Sequence, residues 1–380
     1  MFETLREFCD LYLNSGYEMP GTDLVVYQGG KCVFRYMTGY SDLENKVPMT
    51  GQERCYIYSC SKVITCTAAL QLWEKGLFSL DDRLSDYMPE FARMTVRTES
   101  GERPAERPIL IRHLFGMSAG FSYDTRSPHL EECRRDTDGR CPTREAMKYL
   151  AKEPLLFEPG EGWKYSLCHD VLAALVEVLS GERFGEYVKK HIFDVADMPR
   201  STFLLPEEEL DTMAPQYVWR DGASDRLRSK VVVYKLGSEY ESGGAGGIST
   251  VDDYIRFLEC LRTGKLLKPE TVALMQTNHA TPLQLQQFHE TFDPKKTHGY
   301  GLGVRTPGFD PRYTDFGWGG AAGAFLAIDT EHEMSLYFGT HLHQSPLKRY
   351  RPLFYRYAKA ELFDPVDLKA LKEKMKPLTA

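Results

Sequence analysis

Ser59-Cys60-Ser61-Lys62 is the stretch on which the reading of this chain turns. It sets a hydroxyl and an amine three residues apart, and on a helix such positions share one face. A serine hydroxyl attacks poorly until another group takes its proton. A lysine held beside it, partly desolvated, can take part in that transfer. The spacing alone is weak, because Ser345 to Lys348 repeats it. Context separates the two. Arg54 to Tyr58 reads as a short strand, which puts Ser59 at a strand-to-helix joint. From Lys62 the sequence KVITCTAALQLWEKG is apolar on most faces, as a buried helix is, and Gly76 supplies its stop. The plain alternative is a serine that caps a core helix, with Lys62 reaching outward. A cation in the first turn opposes the helix macrodipole, which counts against that alternative.

Around this joint, 380 residues give room for one large or two medium domains, and 42% apolar content with 12% aromatic is that of a packed globular protein. The net charge of −7, with no basic block, argues against a nucleic-acid or anionic-membrane surface. No apolar run approaches the length of a membrane span, and MFETLREFCDLYLNSGYEMPG shows no export signal. The nine cysteines are scattered with no Cys-x-x-Cys, so free thiols in a reducing cytoplasm are expected, and Cys133 and Cys141 are read as unpaired.

A helix is expected from Phe2 to about Leu13, then strands Asp23 to Gln28 and Lys31 to Thr38 joined at Gly29-Gly30. Near the other end, strands are expected at Tyr300 to Arg305, Ala324 to Asp329 and Met334 to Thr340, then a helix from about Pro346 to Leu362. The economical arrangement is an α/β (α+β) fold in which an antiparallel sheet from both chain ends carries a helix from each. The middle reads as more helical. Asp170 to Ser180 is a helix stopped by Gly181, Tyr187 to Phe193 is another, and Arg93 to Arg107 reads as an exposed loop. Thr250, with Asp253 three residues on, reads as the cap of a helix that follows Gly243-Gly244-Ala245-Gly246-Gly247. Residues 1–79 with 235–380 are expected to form the sheet domain, and 80–234 an inserted helical domain, with the active site in the cleft between them.

Two further features accompany Ser59 and Lys62. Tyr165-Ser166 places a phenol just before the helix near Asp170. Trp318-Gly319-Gly320-Ala321-Ala322-Gly323 stands directly before a strand, with glycines that let backbone approach a ligand. Singly, each has an ordinary structural reading. In this order the chain resembles the serine β-lactamase and penicillin-binding-protein superfamily, closest to its family VIII carboxylesterases and class C β-lactamases. Gly39-Tyr40-Ser41-Asp42, Ile111 to Gly120, Trp163 to Leu167 with Asp170-Val171-Leu172, and Gly244 to Thr250 carry the same resemblance. It implies Ser59 as the nucleophile of an acyl-enzyme, Tyr165 as general base and Lys62 as the cation beside both oxygens. It implies an oxyanion hole from the backbone N–H groups of Ser59 and Ala321, and no metal or organic cofactor.

Two departures bear on the substrate. The β-lactamases of this branch carry Tyr-x-Asn, and here the third position is Leu167. Their last motif begins with lysine, which suits a carboxylate, and here it begins with Trp318, an apolar face with one donor. A small-molecule neutral ester is therefore the expected substrate, with Trp318, Gly319, Gly320, Leu167 and His169 against it. A β-lactamase, a D,D-peptidase or amidase, an acyltransferase and a non-catalytic peptide-binding member are the alternatives. Gly116-Met117-Ser118-Ala119-Gly120 also matches the G-x-S-x-G nucleophile elbow, but no helix start follows it, so Ser118 reads as a structural turn. His341-Leu342-His343 has no third metal ligand at a useful spacing and reads as a surface strand end.

Overall fold

The computed structural model describes residues 1–228, 232 and 234–376; 229–231 and 233, inside the stretch read as an inserted domain, and 377–380 lie outside the described residues. The elements that position the site are α1 (Glu3–Leu13), β1 (Thr22–Gln28), β2 (Lys31–Thr38), α2 (Ser61–Glu74), α3 (Cys168–Ser180), α4 (Val251–Arg262), β3 (Phe325–Asp329), β4 (Met334–Gly339) and α5 (Arg351–Phe363).

The two chain ends build one sheet, in the order β3-β4-β1-β2. Every neighbouring pair is antiparallel, with Val25 opposite Tyr337 and Phe325 opposite Phe338. The period of two along each strand divides its side chains between two layers. Leu24, Val26, Leu336 and Phe338 face α1 and α5, where Phe8 stacks on Tyr357 at 4.6 Å. Val25 and Tyr337 face the other way, and Tyr337 stacks on Tyr254 of α4 at 4.4 Å. Each such side chain contributes roughly 1.5–3 kcal/mol by leaving water. The ends are also tied by a carboxylate. Glu361 of α5 accepts from the backbone N–H groups of Phe2, Thr4 and Leu5. It satisfies donors that α1 cannot pair within itself and places negative charge at the positive end of its dipole.

The expected caps form: Thr250 accepts from the Asp253 N–H at 3.1 Å, and α3 stops at Gly181 in the left-handed region, φ 73°. Four expectations change. Arg93 to Arg107 is not all loop: Thr95–Thr98 and Gly101–Pro104 pair as a hairpin, because Val96 is buried and bridges Leu155. Tyr300 to Arg305 is not one strand but a turn between Gly299–Tyr300 and Arg305–Thr306, with Gly303 at φ +79°. The helix at Tyr187 begins earlier, at Phe184, and widens into a π-turn over Lys189–Phe193. The terminal helix begins at Arg351, after a tight turn at Lys348–Tyr350, and Asp364 caps a further helix, Pro365–Glu373.

Candidate active site

Ser59 reaches its position through a strained approach. Cys55–Tyr56 pairs with Ile248–Ser249, and the Ile57 N–H donates to the Gly247 carbonyl at 2.9 Å. The chain then turns through Tyr58 at φ 48°, a left-handed conformation that is unfavourable for a residue with a bulky side chain. Tyr58 is held there by its buried ring, which hydrogen-bonds the Gln216 side chain and sits edge-on to His343 at 4.4 Å. Ser59 follows in a single 3-10 turn that runs directly into α2.

One turn along, Lys62 is fully buried. Its ammonium donates to the Gly244 carbonyl at 2.5 Å and to Ser59 Oγ at 3.4 Å, and lies 4.6 Å from the centre of the Tyr165 ring. The Tyr165 hydroxyl is hydrogen-bonded to Ser59 Oγ at 2.5 Å. A lysine one helical turn away and a phenol more than a hundred residues away therefore meet at one serine oxygen.

The loop that carries Tyr165 is laid against the Gly116–Gly120 turn. Gly160 N–H donates to Ser118 O, Lys164 N–H to Met117 O and Leu167 N–H to Ser122 O. Ser118 is buried in that turn, so the G-x-S-x-G segment is a backbone support for the tyrosine loop. Gly243 to Gly247 forms a collar along α2. Thr65 donates to the Gly243 carbonyl, Lys62 to the Gly244 carbonyl, and the Gly247 N–H donates to Ser61 Oγ. A Cβ on Gly244 would lie 2.6 Å from Asp170 Oδ2 and 3.3 Å from Lys62 Nζ, so only glycine fits between them.

Asp170 is the buried acid of this region. Its Oδ1 accepts from Tyr240 at 2.7 Å and Ser242 at 2.6 Å. Burial raises its pKa, opposed by the Ser242 hydroxyl, the Lys62 ammonium and the Tyr240 hydroxyl. Aromatic rings surround the Ser59, Lys62 and Tyr165 cluster. Around the Tyr165 ring, Trp318 is nearly parallel at 6.1 Å, Tyr123 stacks at 5.2 Å and Phe292 is tilted at 4.8 Å. Trp318-Gly319-Gly320-Ala321 runs beside the serine turn: a Cβ on Gly320 would lie 2.6 Å from the Ile57 carbonyl oxygen. Among the described residues no carbonyl accepts from the Ala321 N–H.

Ser59, Lys62, Tyr165 and the Trp318 loop are thus brought together. Leu167 and His169 are not brought to an open surface. Leu167 is buried at the entry to α3, and His169 has no exposure. The His169 ring packs by Gly303 and Cys66, and burial, with the Lys62 ammonium, lowers its pKa well below the usual histidine value. His341 is not the surface residue expected. It is buried, bonded to the Ser41 carbonyl, with its pKa pulled down by burial to about 4. No group of three metal-ligating side chains occurs among the described residues, and all nine cysteines are free. A cavity of about 530 Å³ beside Gln216 is lined by Asp42, Glu44, Met213 and Arg226, and among the described residues no serine, threonine, cysteine or lysine lines it. Sequence reading missed the roles of Asp170, the Gly244 carbonyl, Tyr123 and Phe292. The glycine run hinted at the collar; nothing local marked Phe292.

The family model for beta-lactamase matches residues 4–358. The chain is 31% identical over 303 residues to the lovastatin esterase of Penicillium rubens, covering 72% of this chain and 75% of that protein. It is 29% identical over 280 residues to the esterase EstB of Burkholderia gladioli, covering 67% and 69%. The solved structure of EstCE1, described as a hydrolase with promiscuous acyltransferase activity, superposes with a TM-score of 0.75 at 25% identity, over 93% of this chain and 97% of that one.

Proposed function

The chain belongs to the beta-lactamase family, and on that premise we propose that it is a carboxylesterase that cleaves small or medium neutral esters through an acyl-enzyme on Ser59. The coarser statement, an enzyme that hydrolyses or transfers acyl groups, follows from the family and its esterase relatives. The observation that carries the finer one is the meeting of Tyr165 OH and Lys62 Nζ at Ser59 Oγ, at 2.5 and 3.4 Å.

Tyr165 acts in its phenolate form: as Oγ attacks the acyl carbon, the Oγ proton passes to that oxygen. The Lys62 ammonium, fixed by the Gly244 carbonyl, stabilises negative charge on either oxygen. The carbonyl oxygen collects charge between the N–H groups of Ser59 and Ala321. The alcohol leaves with the proton from Tyr165. A water then repeats the sequence and frees the acid. Trp318, Phe292 and Tyr123 offer apolar faces, and Trp318 stands where the related β-lactamases carry a lysine, which favours a neutral acyl group over an anionic lactam. The free cysteines suit a reducing cytoplasm. We also propose the division into a sheet domain, 1–79 with 235–380, and an inserted domain, 80–234.

The test is a paired assay of p-nitrophenyl butyrate and nitrocefin with wild type and Ser59→Ala. Ester turnover that exceeds nitrocefin turnover, both lost in the variant, is expected. Dominant nitrocefin hydrolysis would make the protein a β-lactamase instead. A second reading, transfer of the acyl group to an alcohol, is favoured by the ring-lined approach to Ser59, which limits water, and by the activity named for EstCE1. Partition of the acyl-enzyme in the presence of added alcohols separates the two.

A further inference from the structure

The Trp318 loop is braced from behind by a charge that the reaction scheme above does not use. Arg351, the first residue of α5, donates through Nη1 to the carbonyls of Gly320 and Ala324, each at 3.0 Å, and through Nε to the Lys348 carbonyl at 2.9 Å. Among the described residues no carboxylate pairs with it. A half-buried guanidinium held only by backbone carbonyls is an unusual use of the residue, because its fork ordinarily meets an acid.

The Gly320 carbonyl belongs to the same peptide unit as the Ala321 N–H. A trans peptide is planar, so its C=O and N–H point in opposite directions. Fixing the carbonyl therefore fixes the N–H. The Gly320 oxygen receives two donors, Arg351 Nη1 at 3.0 Å and Gly323 N–H at 3.1 Å, while Gly320 N–H closes the turn onto Ala324 O at 2.8 Å. The neighbouring glycine gives this peptide plane little steric hindrance to rotation, so the restraint must come from those bonds. A cation on the carbonyl also polarises the peptide and makes its N–H a stronger donor.

We propose that Arg351 is a positioning residue for the oxyanion hole: it holds and polarises the Gly320–Ala321 peptide so that the Ala321 N–H meets the oxyanion. The inference rests on the acyl-enzyme reading above. Its effect belongs to the transition state, where the oxygen carries charge, and only weakly to the bound ester.

The experiment compares wild type, Arg351→Met and Arg351→Lys with p-nitrophenyl butyrate, and measures the affinity of phenylboronic acid, which forms a tetrahedral adduct on the serine. Thermal melting reports folding. For Arg351→Met, kcat should fall by roughly ten- to a hundredfold, less than loss of a whole oxyanion donor because Gly323 still holds the carbonyl. KM should change little, and boronate affinity should fall in parallel with kcat. Arg351→Lys, with a shorter reach but the same charge, should recover part of both, and it carries the test if the methionine variant does not fold. A folded variant with wild-type kcat and boronate affinity overturns the proposal, as does a loss confined to KM. An inactive wild type that binds no boronate overturns the acyl-enzyme reading as well; an active one with an indifferent Arg351 overturns this inference alone.

Discussion

The chain contains Ser-x-x-Lys twice, and the two copies differ in everything but spacing. At the first, Lys62 is fully buried, its ammonium bonded to a backbone carbonyl, and Tyr165 reaches Ser59 Oγ from another part of the chain. At the second, Ser345 is buried but accepts from the Leu347 N–H at 3.3 Å, as a serine does in a local turn, and Lys348 is exposed. The first lysine lies on a regular helix face that brings it back to the serine; the second opens a tight turn and points to water. Spacing supplies a possibility, and surroundings decide it.

The sharpest test of that contrast is Ser59→Ala. It should reduce ester turnover by about four orders of magnitude or more and abolish labelling by a fluorophosphonate, with the melting curve preserved. Retained labelling would move the nucleophile elsewhere and end the comparison. Next in size are Tyr165→Phe and Lys62→Met, each expected to lower kcat by roughly 10²–10⁴-fold. Pre-steady-state acylation rates would show whether the loss falls on the first chemical step.

A smaller effect asks whether the collar matters beyond the motif. Gly244→Ala leaves Ser59, Lys62 and Tyr165 in place but puts a methyl 2.6 Å from Asp170 Oδ2 and 3.3 Å from Lys62 Nζ. It should cost about 1–3 kcal/mol of stability and a measurable share of kcat, read by urea unfolding and by turnover. An innocuous Gly244→Ala would leave the motif itself as sufficient.

The stretch leading into the second copy should respond to pH instead. His341 is neutral in the fold, held down to about 4 by burial, whereas the unfolded chain takes up its proton near pH 6.5. Its contribution is therefore intact above about pH 6.5 and is lost as pH falls toward 4. His341→Gln should reduce the stability lost between pH 7.5 and 4.5 by about 2–3 kcal/mol, measured as the difference in urea midpoints. The smallest change is expected for Ser345→Ala, about 1 kcal/mol of stability with turnover unchanged. A loss of activity there would mean that the two copies are not as different as their surroundings say.

The sequence alone was enough for the sheet strands, α2, α3 and the capped helix α4, because their signals are local: alternation, apolar faces, a Thr250 cap and a stop at Gly181. It was also enough to nominate Ser59, Lys62, Tyr165 and the Trp318 loop as candidates. It misread Tyr300 to Arg305 as a strand, because a Gly303 turn inside an apolar run leaves the hydrophobic pattern nearly unchanged. It left Asp170, Phe292 and Arg351 without roles, since each acts on a group more than twenty residues away. It placed His341 at the surface, because a strand end gives no sign of what will cover it. Tertiary structure decided these, for one reason. Burial, approach distance and the direction of a peptide plane are properties of surroundings assembled from several separate stretches, and no single stretch encodes what will be packed against it.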